Sequence, residues 1–150
     1  MTLNTDVKKR ADALIKTIGI QAVSSFDAFL DRLPEIEDMM KNRTANDWVF
    51  YMTIGGTAAA VMTNRKLTAE ESTEIVQSLS NWNKNAAVVL EDLLAFVDSN
   101  AKSGMDHFEA LGRWLLNRII DAQPSAEETK IASVIGIFLR DSFKDSWDSI

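Results

Sequence analysis

The sequence predicts an all-α fold, and three observations carry that prediction. Apolar residues recur at steps of three and four through nearly every segment, Gly and Pro are confined to a few places, and Ser/Thr-x-x-Glu capping boxes precede two of the apolar runs. A chain of 150 residues buries about 68–70% of its extended surface on folding, so a single domain over 1–150 with one substantial core is expected. The spacing lays out a helical bundle of five long helices plus one short helix, with a buried central helix at about 46–64.

The first helix is expected over about 5–32, because Val7, Ala11, Leu14, Ile18, Ala22, Phe26, Phe29 and Leu33 keep one stripe. Gly costs a helix interior about 1 kcal/mol relative to Ala, and Ser24 with Asp27 resembles a helix start, so a break within 19–24 is the competing reading. Pro34 suits the first position of a short helix reaching about residue 42, with Ile36, Met39 and Met40 inward. The stretch 48–64 carries no charge and is apolar on every side when projected as a helix. Such a helix belongs among others. Its rise of about 25 Å falls short of a hydrocarbon core of about 30 Å, so burial in protein is expected rather than a membrane span.

Thr68-Ala69-Glu70-Glu71 is the first capping box, and the stripe Ile75, Leu79, Trp82, Ala86, Leu90, Leu93 and Val97 predicts one long helix from there to about residue 100. Asn81, Asn83 and Asn85 are poor helix formers in the middle of it, read as a solvated face. Ser103 and Asp106 suit the start of a helix over about 104–122, ending before Pro124. The second capping box, Ser125-Ala126-Glu127-Glu128, opens a final helix to about residue 147.

Composition narrows the function classes. Without Cys there is no thiolate nucleophile and no Cys-based metal site. The net charge of −6 is spread along the chain, and only Lys8-Lys9-Arg10 forms a basic run, which argues against nucleic acid as a partner. No apolar run follows those basic residues as it would in a secretory signal, so a cytoplasmic location is expected.

The lone His107 has Ser103, Gly104, Ala110 and Leu111 at helical spacing, so no metal set forms around it and no metal or other cofactor is expected. Gly55-Gly56-Thr57 lacks the Gly-Lys-Ser/Thr of a phosphate loop; Gly55/Ala59 and Gly56/Ala60 read as close helix packing. No residue is assigned a catalytic role. Trp114 projects away from the stripe Met105, Phe108, Gly112, Leu115, Leu116 and Ile119, and shares its side with His107, Asn117, Arg118 and Asp121. Trp and Arg dominate interface energetics, so this set is the expected partner-binding surface, with a covering helix as the competing reading for Trp114. The function that follows is non-catalytic: a small acidic intracellular inhibitor, immunity-type antidote or adaptor that occupies the surface of another protein, one with a basic face, with a homodimer as a further arrangement. The alternative is a small-ligand sensor or carrier whose apolar pocket is lined by Met52, Gly55, Gly56 and Trp82, with Tyr51 and Thr57 as polar groups.

Overall fold

A computed structural model describes residues 2–40, 44–64, 66–119 and 126–150, without the side chains of 2–5, 39 and 126–129. The fold is all-α. Its helices are α1 (Thr2–Arg32), α2 (Glu35–Met40), α3 (Ala45–Thr63), α4 (Ala69–Trp82), α5 (Ala86–Lys102), α6 (His107–Ile119) and α7 (Ala126–Phe143), followed by a 3-10 turn at Trp147–Ser149.

No break interrupts α1. Ser24, which suggested one, bonds back into the helix instead, its Oγ donating to the Ile20 and Gln21 carbonyls, and the neighbouring Ser25 Oγ donates to the Ala22 carbonyl at 2.7 Å. Its inner stripe, from Val7 through Leu14 and Ile18 to Phe29, is buried. Among the described residues, Asp6–Arg32 is also the one helix long and apolar enough, by length and composition, to cross a membrane. The inner stripe accounts for only part of that apolarity, because Ile20 and Val23 face outward.

The central helix is α3, which touches α1, α4, α5, α6 and α7. Thr44 and Asp47 cap it reciprocally: the Thr44 amide donates to Asp47 Oδ2 at 2.8 Å and the Asp47 amide to Thr44 Oγ1 at 3.4 Å. Every residue from Met52 to Ala60 is buried. Trp48 is fully enclosed, its indole N–H donating to Ser25 Oγ at 3.0 Å, so burial leaves no polar atom of that ring unpaired.

The long helix expected over 68–100 is two helices. Asn83 is extended, its side-chain oxygen accepts the Asn85 amide at 3.0 Å, and its carbonyl accepts the Ala86 amide at 2.9 Å. Asn83 and Asn85 therefore mark a turn, while Asn81 stays within α4, because an Asn side chain competes for backbone donors and offers the chain an exit from the helix. The last helix also ends earlier than residue 147. Asp145 takes a left-handed conformation (φ 60°), and the resulting turn carries Trp147 back onto the bundle, where it is buried. Ser125 of the second capping box lies outside the described residues.

Helices α6 and α7 pack backbone against backbone. A Cβ on Gly112 would overlap the Ala132 carbonyl oxygen, and one on Gly136 that of Phe108, so the two backbones meet where only glycine fits.

Candidate protein-binding surface

The sequence-predicted surface centres on Trp114, and the structure corrects its exposure. Trp114 is 3% exposed. Tyr51 of α3 meets it edge-on with ring centroids 6.0 Å apart, and α5 packs along α6 beside it. Its indole N–H points to Asp92 Oδ2 at 3.4 Å, Arg118 donates to the same oxygen at 2.8 Å, and the guanidinium carbon lies 4.9 Å from the ring centroid. The competing reading holds: Trp114 is covered by other helices, because α6 has a second buried side that projecting one helix cannot reveal. Arg118 and Asn117 are exposed, and His107 stands exposed at the start of α6, where the Asp106 carboxylate accepts the Phe108 and Glu109 amides. Asp121 lies outside the described residues. Among the described residues of this set, the structure brings together only Trp114 and Arg118.

The alternative pocket under the glycines is filled. A Cβ on Gly55 would lie 2.6 Å from Leu115 Cδ1, and one on Gly56 2.6 Å from Ile18 Cγ2 and 2.8 Å from Phe143 Cε2. These glycines receive side chains from α1, α6, α7 and leave no room for a ligand. Met52 is buried, and the Thr57 hydroxyl is committed to the Thr53 carbonyl at 2.8 Å. Trp82 is elsewhere, at the C-terminal end of α4, where it is 41% exposed.

Trp82 instead walls an open groove of about 490 Å³ between α1 and α4. Ile15, Gly19, Ile20 and Val23 of α1 form one side, Ser78, Asn81 and Trp82 of α4 the other, and Val49 of α3 contributes to the lining. Ile20 is 62% and Val23 58% exposed, while Trp82 is held by stacking on Phe50, their planes 20° apart. Ser78 Oγ donates to Asp12 Oδ1 at 2.6 Å and ties the two walls together. Nothing lies within 4 Å of a Cβ placed on Gly19, so packing does not require glycine there. Ile20 and Val23 lie opposite the stripe that defines α1, a departure from amphipathic order already visible in the sequence.

No protein-family model, curated protein or solved structure matches the chain. The reading of the surface therefore rests on its physical chemistry. Among the described residues, no three His, Asp or Glu side chains converge as a metal set. One carboxylate among the described residues is displaced from its ordinary behaviour. The Thr68 amide, which donates to Glu71 Oε1 at 2.9 Å, is the largest influence holding the Glu71 carboxyl below its usual value; the Thr68 hydroxyl, the Trp147 indole and the Arg10 charge act in the same direction. Trp147 Nε1 reaches Glu71 Oε2 at 3.0 Å, Arg10 donates to the Trp147 carbonyl at 2.7 Å, and the Arg10 guanidinium lies 4.3 Å from the ring centroid. This is a latch that fixes the chain's C-terminal turn to α1 and α4.

Proposed function

We propose that the protein is a non-catalytic protein-binding module, of the inhibitor, antidote or adaptor kind, and that it engages its partner through the groove between α1 and α4. The observation that carries this reading is the outward set Ile20, Val23 and Trp82 around Gly19. Exposed apolar side chains lose favourable burial unless something covers them, at roughly 25 cal/mol per Å². Trp82 supplies the aromatic anchor expected of an interface centre. The groove is long, lies beside a helix and carries both Asp12 and Lys16, which suits an amphipathic helix of mixed charge as the occupant. The net charge of −6 adds long-range steering toward basic surfaces. Arg118 and Asn117 remain as a separate polar face without an aromatic anchor.

The test is affinity capture from the cell of origin, comparing the wild type with Ile20→Asp and Arg118→Ala. A stoichiometric protein retained by wild type and Arg118→Ala but lost from Ile20→Asp supports the groove. Retention by Ile20→Asp would refute it.

One crevice keeps the carrier reading in play. Ala28, Phe29 and Arg32 of α1, Leu33 just after it, and Val134 and Phe138 of α7 line a mostly apolar space of about 390 Å³, within the range of small-molecule sites. An apolar ligand seated there should raise Tm, and Val134→Trp should abolish the rise while the helical circular dichroism is kept.

A further inference from the structure

Resting on the groove reading, we infer that the helix seated on this surface is α1 of a second copy of the chain, packed antiparallel across a two-fold axis. The outward stripe of α1 reads, from N- to C-terminus, Lys9, Lys16, Ile20, Val23, Asp27 and Asp31, all exposed. These positions share the side opposite the buried stripe. Their charge is antisymmetric: the N-terminal half is basic, the C-terminal half acidic, and the apolar pair stands between.

A two-fold contact requires one patch to complement itself. Antiparallel pairing about the point between Ile20 and Val23 sets Ile20 against the second copy's Val23. It also sets Lys16 against the second copy's Asp27, since both lie about 8 Å along the axis from that point. Asp31, about 14 Å from that point, comes level with the second copy's Asp12, whose carboxylate is held by Ser78, and lies within about 5 Å along the axis of the second copy's Lys9. Parallel pairing would instead oppose Lys16 to Lys16 and Asp27 to Asp27. None of these four charged residues forms an ion pair among the described residues, so all four are free to do so with another chain. Asp12, the remaining acid at the groove, is turned to Ser78. Gly19 beside the centre has open space where a Cβ would stand, which allows a second backbone to approach closely, and Trp82 borders the groove that receives its side chains.

Sedimentation equilibrium on the full chain tests this through charge reversal. The wild type should move from 16.7 kDa toward twice that mass as concentration rises. Lys16→Asp and Asp27→Lys should each weaken association on the order of tenfold, because each creates two like-charge contacts per dimer. An equimolar mixture of the two single variants should recover association as a heterodimer, and the double variant Lys16→Asp/Asp27→Lys should recover it alone. Circular dichroism confirms that these exposed substitutions leave the helices intact. A wild type that stays monomeric, single variants that associate as the wild type does, or a mixture that fails to recover would each overturn the inference. A monomer whose captured partner is still lost from Ile20→Asp would overturn self-pairing and leave the groove reading standing. A monomer that instead floats with phosphatidylcholine–phosphatidylglycerol vesicles through Ile20 and Val23 would overturn both.

Discussion

Two sides of this bundle each carry a glycine and a tryptophan, and they use them in opposite ways. On the α6 side, Gly112 lets two backbones touch and Trp114 is enclosed by Tyr51 and by the Asp92–Arg118 pair. On the α1–α4 side, Gly19 meets nothing and Trp82 stands 41% exposed against Phe50. The same residue types therefore report packing in one place and availability in the other. What separates them is the number of neighbouring helices: α6 lies against α3, α5 and α7, while the outward stripe of α1 faces none.

The largest effect expected is at Gly112. Gly112→Ala forces α6 and α7 apart and should cost about 5 kcal/mol or more, beyond the usual overpacking penalty because the clash is with backbone, with Tm falling by more than about 10 °C in thermal denaturation. Next comes the tryptophan pair, compared by urea unfolding. Trp114→Ala should lose about 3–5 kcal/mol through the cavity it leaves, whereas Trp82→Ala should lose about 1 kcal/mol. Equal losses would erase the contrast between the two sides.

Trp147 gives an intermediate case, buried yet latched by polar groups, and Glu71 tests it. Because the folded carboxyl titrates below its unfolded value, its contribution is complete above the ordinary carboxylate range and is lost as pH falls through the lowered folded value. Glu71→Gln should therefore be less stable than the wild type at neutral pH, and the difference should close in acid. A difference independent of pH would assign the loss to packing alone. The smallest effect is Gly19→Ala, expected to stabilise by up to about 1 kcal/mol by helix propensity and a less flexible unfolded chain. Destabilisation there would mean the open side is not open.

Periodicity and capping made most of the helices legible. The stripe of α1, the charge-free run of α3 and the Thr68–Glu71 box describe local physics, in which side-chain spacing and terminal amides act within one segment. The Thr44–Asp47 box is equally local, with Asp in place of the more familiar Glu. The asparagine turn was legible as an oddity but read as surface, because a stripe that continues through Trp82 and Ala86 in projection says nothing about whether the axis bends between them.

The site was less legible than the fold. Projection left Trp114 open between an outward face and a covering helix, and set Trp82 inside; the first is covered and the second stands exposed. An amphipathic pattern identifies the face a helix buries against the bulk of the core, but whether a second helix covers the other face depends on partners distant in sequence. Asp92 is 22 residues from Trp114, and only the tertiary structure brings them together. The sequence by itself determined that the chain is helical, that Thr68 and Glu71 cap one helix start and that α3 lies at the centre, because these follow from contacts within a few residues and from the cost of exposing apolar surface. Only the tertiary structure decided which tryptophan remained outside, because burial is a property of neighbours, and the chain's long-range packing chooses them.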